Sequence, residues 1–169
     1  MRFSVLGGGR WGVALACHLS RLGHEVLIYD RNVKVIELIN RGEHPYIQDI
    51  RLERVRATEN LEEIKDFSNF MILALPVQVI REVIKNIDIS GKVILSASKG
   101  LEIGTNKRVS EIIKEIYPSS EVFCISGPSF ASEVSRGLPT ALVLAGENLE
   151  LMRELRSAIM SENLRIYLS

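Results

Sequence analysis

A glycine-rich turn near the start of the chain restricts the fold more than any other feature of the sequence. The apolar stretch that ends at Leu6 leads directly into a G-x-G-x-x-G pattern made by Gly7, Gly9 and Gly12. In such a pattern the first glycine makes a tight turn, the second lets the backbone approach a pyrophosphate, and the third lets the next helix pack closely against the sheet. That helix presents its partially positive N-terminus to the turn, where an anion is favoured. The turn therefore predicts a nucleotide-binding site.

The residues after the turn support this interpretation. Alanines at 14 and 16, with leucines at 15, 19 and 22, predict a helix with a small, close-packing first turn, and residues 25–29 predict a second strand. Asp30 ends that strand, about twenty residues after the turn, which is where an acidic side chain holds a ribose hydroxyl. Residues 1–30 thus predict a strand, a turn, a helix and a strand. A turn that merely permits tight packing is the alternative, and it leaves this clustering unexplained.

The composition is that of one globular domain. The chain has 169 residues, and 46% of them are hydrophobic, which is enough for a core. Lys and Arg together number 21, as do Asp and Glu, so no net field attracts nucleic acid or an anionic membrane. Cys17 and Cys124 lie in a predicted helix and a predicted strand. We expect both to be reduced and buried, with no disulfide and no metal site.

The start of the chain and its apolar runs bear on its location. No apolar run approaches the ~20 residues that a membrane-spanning helix requires. A predicted strand follows Met1 almost directly, which leaves no room for a signal peptide. We therefore expect a cytoplasmic protein.

After Asp30 the hydrophobic pattern alternates between helix and strand spacing. We predict helices over Val33–Ile39, Leu61–Phe67, Val79–Ile84, Val109–Ile116 and Met152–Ile159, and strands over Arg54–Thr58, Phe70–Leu75, Lys92–Ser96, Val122–Ile125, Ala141–Leu144 and Leu164–Tyr167. Continuous apolar strands suit a parallel sheet that is buried on both faces. The chain is thus predicted to be a single α/β domain with a doubly wound, mostly parallel, Rossmann-like sheet. Its ligands should lie beyond the carboxyl ends of the strands.

Three residues that directly follow predicted strands are candidates for the site. Pro76 either borders the adenosine half of a nucleotide or simply ends its strand. Lys99 follows the next buried strand, and an isolated surface lysine is its alternative. Ser129, placed by a turn that begins at Gly127, either donates to a phosphate or caps a helix that runs through Val134. These two roles of Ser129 are compatible, because a helix N-cap is itself an anion-binding position.

Three segments share their residue types, order and spacing with one known family. They are Gly7–Ala16, Ser96–Glu102, and Gly127–Ala131 followed by Gly137–Ala141. Together they resemble the NAD(P)-dependent glycerol-3-phosphate dehydrogenases of the bacterial type, and the resemblance covers essentially the whole chain. It implies that residues 1–169 form a dinucleotide-binding domain. It also implies an oxidoreductase that interconverts dihydroxyacetone phosphate and sn-glycerol 3-phosphate with NAD or NADP, in the supply of the phospholipid backbone.

The resemblance also implies roles for individual residues. Lys99 would contact both cofactor and substrate, and Gly127 and Ser129 would hold the substrate. The residues expected to face the cofactor, besides those already named, are Arg10, Trp11, Arg31 and Ala131. Trp11 has a structural alternative, in which it fills the space between helix and sheet. The family usually carries a small hydroxyl residue at position 10, so Arg10 is a departure.

The chemistry of ketone reduction exposes what this chain lacks. Hydride transfer requires a fixed nicotinamide, a proton donor for the alkoxide, and donors for the substrate phosphate. We expect the three histidines (His18, His24 and His44) to be structural or solvated. The resemblance implies that the family's principal catalytic lysine lies beyond Ser169, in a second, helical domain. We therefore expect no catalytic residue here and no dehydrogenase activity from this chain alone.

The sequence is compatible with either cofactor and with two other functions. Asp30 suits a free ribose hydroxyl, whereas the adjacent Arg31 suits a 2′-phosphate, so we expect both NAD and NADP to bind. A related two-domain reductase of another small substrate would carry a similar turn. A stand-alone module that senses NAD(H) would as well. We expect a small-molecule substrate as the partner, and a homodimer of the full-length enzyme is left open.

Overall fold

Eight strands form one sheet, and their order across it shows where a ligand can bind. In the computed structural model, which describes residues 1–169, the strands are β1 (Arg2–Leu6), β2 (Glu25–Tyr29), β3 (Val55–Thr58), β4 (Phe70–Leu73), β5 (Val93–Ser96), β6 (Glu121–Ser126), β7 (Thr140–Ala145) and β8 (Leu164–Leu168). Their spatial order is β3-β2-β1-β4-β5-β6-β7-β8. The order therefore reverses between β1 and β4. In open α/β sheets, ligands bind at such a reversal, beyond the carboxyl ends of the strands.

The strand directions divide the sheet into two parts. Strands β1 to β6 are parallel to one another. Strand β7 runs antiparallel to β6, and β8 is parallel to β7. The backbone N–H of Ser169, just after β8, still donates to the Leu144 carbonyl of β7 at 3.0 Å. The predicted doubly wound, mostly parallel sheet is confirmed, with one reversal of direction at β7.

Seven helices cover the two faces of the sheet. They are α1 (Arg10–Arg21), α2 (Val33–Asn40), α3 (Leu61–Phe67), α4 (Val77–Lys85), α5 (Val109–Ile116), α6 (Ala131–Ser135) and α7 (Leu149–Ile159). The larger core cluster holds apolar residues of α1, α2, α6 and α7, and the smaller one holds those of α3, α4 and α5. Strand β1 contributes to both clusters, because Phe3 and Val5 face one side and Leu6 faces the other. None of the helices combines the length and apolar character needed to span a bilayer.

Strand β4 is shorter than predicted, and two residues play parts that differ from those expected. Strand β4 ends at Leu73 instead of Leu75, and Pro76 is the N-cap of α4. Proline lacks an N–H and favours an extended residue before it, so the chain leaves the sheet on approaching Pro76. The predicted N-cap role of Ser129 is wrong. Phe130 occupies that position and α6 begins one residue later, beyond the reach of the Ser129 hydroxyl as a cap.

The two cysteines lie in different environments. Cys17 is buried in α1, where its Sγ contacts the Ser135 carbonyl and accepts a hydrogen bond from Arg21. The expectation of a buried Cys124 is wrong, because this side chain is exposed. Its neighbour Val122 packs against the smaller core cluster, whereas Cys124 borders a pocket that residues of α5 and β6 line. Both cysteines are free thiols.

Candidate active site

The turn between β1 and α1 combines two crowded glycines with one open glycine. Gly7 has a φ of +119°, and a Cβ there would collide with the Ala74 carbonyl. A Cβ at Gly12 would collide with the Gly7 carbonyl, so glycine at both positions lets β1, α1 and β4 pack closely. At Gly9 no atom lies within 4 Å of the place a Cβ would occupy. The backbone of Gly9 therefore faces free space.

The first turn of α1 has the properties of an anion site. The backbone N–H groups of Arg10, Trp11 and Gly12 have no acceptor within the chain, and the first turn carries no acidic residue. The guanidinium of Arg10 makes no ion pair and lies over the Tyr46 ring, 4.9 Å from its centroid. Unpaired N–H groups and the positive end of the helix dipole together favour a phosphate group at this position.

Hydrogen bonds from outside the turn hold its shape. The Gly8 N–H donates to Asp30 Oδ2 at 2.9 Å, and the Asn32 N–H donates to Asp30 Oδ1 at 2.7 Å. The Tyr46 hydroxyl donates to the Gly8 carbonyl at 2.6 Å. Asp30 thus supports the turn directly, in addition to its predicted place at the end of β2. The sequence did not indicate the role of Tyr46, because this residue lies in an irregular loop and is far from Gly8 along the chain.

Four connections at the carboxyl ends of the parallel strands enclose one cavity. Its volume is about 470 Å³. It lies beside the reversal of strand order. Its walls come from the β1–α1 turn (Gly9, Arg10, Trp11), the β4–α4 connection (Ala74, Leu75, Pro76), the residues that follow β5 (Ala97, Ser98, Lys99) and the β6–α6 connection (Ser129, Phe130, Ala131). The three segments singled out in the sequence therefore meet at one place.

Seven of the predicted site residues line this cavity, and the others do not. Those in it are Gly9, Arg10, Trp11, Pro76, Lys99, Ser129 and Ala131. Gly7 and Gly12 lie beneath the turn, and Asp30 and Arg31 lie outside the cavity at the end of β2. Gly127 packs against β7 instead, where a Cβ would lie 2.7 Å from the Ala141 carbonyl oxygen. Pro76 thus lines the same cavity as Lys99. Asp30 and Arg31, the residues predicted to meet the ribose hydroxyl and a 2′-phosphate, lie outside it.

Two polar side chains of the cavity, those of Lys99 and Ser129, are free to bind a ligand. Lys99 Nζ and Ser129 Oγ make no hydrogen bond or ion pair within the chain, and Lys99 is exposed. Phe130, which sequence reasoning missed, lies beside Ser129 and is 71% exposed. Trp11 lines the cavity and also packs against the larger core cluster, as its structural alternative predicts. Its Nε1 is buried without a hydrogen-bond partner.

The histidines are structural and lie outside this cavity. His18 Nε2 bonds to the Ile159 carbonyl at 2.6 Å, and His24 Nε2 bonds to the Ala158 carbonyl at 2.8 Å. His44 Nδ1 accepts from two backbone N–H groups, so its Nε2 carries the proton and donates to Ser135 Oγ at 3.0 Å. Burial lowers the pKa of both His18 and His44, which favours their neutral forms. No histidine is therefore placed to protonate a ligand in the cavity.

A glycine turn that opens a helix beside the reversal of a parallel sheet defines a dinucleotide-binding α/β domain. Residues 2–152 match the sequence model of a family described as "NAD-dependent glycerol-3-phosphate dehydrogenase N-terminus". The chain belongs to this family.

Individual relatives support this assignment. The chain is 44% identical over 168 residues to the glycerol-3-phosphate dehydrogenase [NAD(P)+] of Thermotoga sp. (strain RQ2), covering 99% of this chain and 50% of that protein. It is 37% identical to the enzyme of the same name from Thermoanaerobacter sp. (strain X514), covering 100% and 52%. The crystal structure of glycerol-3-phosphate dehydrogenase from Coxiella burnetii superposes with a TM-score of 0.91 at 26% identity, covering 99% and 53%. The chain thus spans about half the length of the relatives it matches.

Proposed function

We propose that this chain is the cofactor-binding part of an NAD(P)-dependent glycerol-3-phosphate dehydrogenase. One observation carries the proposal. The glycine turn, Lys99 and Ser129 lie far apart in the sequence, yet they border a single cavity beyond the carboxyl ends of β1, β5 and β6. In this proposal residues 1–169 form one dinucleotide-binding domain. The catalytic lysine lies beyond Ser169, in the half of the protein that the relatives have in addition.

The residues of the turn fit a dinucleotide. Gly9 leaves free space where a pyrophosphate needs it, and the unpaired N–H groups of Arg10 and Trp11 supply donors. Asp30 retains carboxylate lone pairs for a ribose hydroxyl, and the exposed Arg31 is available to a 2′-phosphate. The bound nicotinamide would supply hydride transfer. Proposed cofactor contacts beyond the turn are Pro76, Lys99 and Ala131.

The cavity also fits the phosphate end of a small substrate. Arg10 and Lys99 are the charged side chains in its wall, and both are cationic. We assign Lys99 to the substrate phosphate and Ser129 to a second hydrogen bond, with Gly127 holding the Ser129 turn close to β7. Two cations and no carboxylate favour dianions such as dihydroxyacetone phosphate and sn-glycerol 3-phosphate. The partners in this proposal are small molecules, and the location is the cytoplasm.

The wall of this cavity lacks the proton donor that ketone reduction needs. Its charged side chains are Arg10, which does not release a proton in proteins, and Lys99, which we assign to phosphate binding. A second group must therefore protonate the alkoxide and exclude water from the open side of the cavity. The lysine that the family carries in its other half has the required chemistry.

The test compares binding with turnover. Fluorescence titration should detect NADH and NADPH binding to residues 1–169. The protein expressed to the natural stop codon of its gene should oxidise NAD(P)H with dihydroxyacetone phosphate and yield sn-glycerol 3-phosphate. Residues 1–169 alone should turn over at least about tenfold more slowly, because losing a positioned proton donor costs well over ~1.4 kcal/mol of barrier.

Lys99→Ala is the matched variant for this test. It should raise the KM for dihydroxyacetone phosphate more than the KM for NAD(P)H, since binding of the pyrophosphate rests on the turn. Absence of cofactor binding would refute the whole proposal. Binding without turnover in the full-length protein would favour a nucleotide sensor, and turnover with a different carbonyl substrate would favour a related reductase.

A further inference from the structure

Lys99 owes its position to its neighbours in the chain. Its Nζ has no partner, and its side chain is exposed. We call residues 97–107, which connect β5 to Arg108, the N-cap of α5, the Lys99 loop. Where the ammonium group lies therefore depends on how the backbone of this loop is held on both sides of Lys99.

On the upstream side, the loop is tied to the connection between β4 and α4. The Ala97 N–H donates to the Leu73 carbonyl at 2.8 Å, and Ser98 Oγ donates to the Leu75 carbonyl at 2.6 Å. Leu75 and its neighbour Pro76 form a wall of the cavity. These bonds hold the start of the loop against that wall.

On the downstream side, two residues of α4 hold the loop. Gln78 donates from Nε2 to the Leu101 carbonyl at 3.0 Å and accepts from the Ile103 N–H at 2.9 Å. Arg81 donates from Nε and Nη2 to the two carboxylate oxygens of Glu102, each at 2.9 Å. Glu102 is only 8% exposed. These bonds, together with one from the Thr105 hydroxyl to Glu102 Oε1 at 2.6 Å, lower its pKa to about 2, so it is charged near neutral pH.

We propose that the Arg81–Glu102 pair is a positioning pair that fixes the position of Lys99 relative to the cavity wall that Leu75 and Pro76 form. A buried ion pair stabilises a fold little more than apolar residues of the same size would. What a two-bond guanidinium–carboxylate pair does supply is a defined distance and orientation. Pro76, the N-cap of α4, lies in the cavity wall, so the pair links the loop to the helix that follows this wall. The role of Lys99 itself rests on the proposed function above.

Glu115 offers a matched control for this pair. It also binds Arg81, at 3.2 Å from Nη1, but it lies on α5 and is half-exposed. Glu102→Gln keeps the size of the side chain and one acceptor oxygen while removing the charge. Glu115→Gln makes the same chemical change on the same arginine, and the only loop residue that Glu115 binds is Lys107, at the end of the Lys99 loop farthest from Lys99.

The first readout is independent of activity. In 15N-labelled protein, Glu102→Gln should lower the heteronuclear NOE of the Lys99 and Gly100 amides, whereas Glu115→Gln should leave them at wild-type values. Arg81→Lys, which keeps the charge but loses the two-bond geometry, should act like Glu102→Gln. Unchanged Lys99 and Gly100 signals in both Glu102→Gln and Arg81→Lys would overturn the proposal, whatever the substrate is.

The second readout is a double-mutant cycle on the full-length protein. Glu102→Gln should raise the KM for dihydroxyacetone phosphate about tenfold, a size common for coupled residues. The Kd for NADH should stay within about twofold, because the turn is untouched. In a Lys99→Ala background, Glu102→Gln should have no further effect. Equal effects in both backgrounds would show a general loss of structure and overturn the positioning role. If wild type shows no turnover of this substrate, the proposed function fails and the NMR comparison still decides the positioning role.

Discussion

Gly9→Val should separate cofactor binding from folding more cleanly than any other change in the turn. No atom lies within 4 Å of the added Cβ, and φ at Gly9 is −73°, an ordinary value for valine. Replacing glycine by valine at a helix N-cap costs about 1 kcal/mol. In a domain of this size that lowers Tm by about 2–4 °C. The variant should therefore fold.

The same side chain would occupy the space in which a pyrophosphate meets the start of α1. Losing two hydrogen bonds to a charged group costs about 1.5–3 kcal/mol each. We therefore expect the Kd for NADH to rise by more than about 100-fold, the equivalent of ~3 kcal/mol. Titration of NADH fluorescence measures the Kd, and thermal unfolding of the same sample measures the stability.

Two further variants provide comparisons for the affinity and stability of Gly9→Val. Gly9→Ala should fall between wild type and Gly9→Val in affinity, because its side chain is smaller. Gly12→Ala should lose stability as well as affinity, since its Cβ would collide with the Gly7 carbonyl. A Gly9→Val protein that binds NADH within twofold of wild type would refute the assignment of the pyrophosphate to this turn.

Three other outcomes are expected. Arg31→Ala should weaken NADPH about tenfold and NADH less than twofold in fluorescence titrations, since ~1.4 kcal/mol is a fair value for one exposed charge on a 2′-phosphate; equal losses would contradict this. Tyr46→Phe removes the 2.6 Å bond to the Gly8 carbonyl and should lower the free energy of unfolding in urea by about 1 kcal/mol; no loss would show that the bond is immaterial. Hydrogen bonds from Arg81 and from Thr105 lower the pKa of Glu102 from 4.5 to about 2, so the unfolded chain takes up this proton first as pH falls. Wild type should therefore lose stability between about pH 5 and pH 2, and Glu102→Gln should lose less over the same range in urea titrations; identical losses would refute this.

The sequence predicts best those features whose causes are local. The β1–α1–β2 unit follows from the glycine spacing and the apolar runs around it, and its strands lie where they were predicted. Pro76, Lys99 and Ser129 follow consecutive strands of the parallel part, so their convergence follows from the topology. Side chains along β7 alternate between more exposed and more buried positions, which is the period-two pattern typical of a strand.

Features that depend on distant parts of the chain were not predictable. Alternation along β7 is the same in either strand direction, so its antiparallel pairing with β6 left no mark in the sequence. The exposure of Cys124 depends on where α5 lies over β6. The bond from Tyr46 to Gly8 joins an irregular loop to the turn. The N-cap of α6 lies one residue after Ser129, a shift smaller than the precision of sequence signals.

The bonds around Gly8 have a kinetic and entropic consequence. Asp30 and Tyr46 hold both polar groups of the Gly8 backbone within the protein itself. A turn held in this way enters a complex in the shape it already has, and little conformational entropy is lost there on association. Encounter with a dinucleotide should then proceed in a single kinetic phase, without a slow rearrangement of the loop. The turn is therefore rigid before the ligand binds. Any closure over the ligand has to take place at the open side of the cavity.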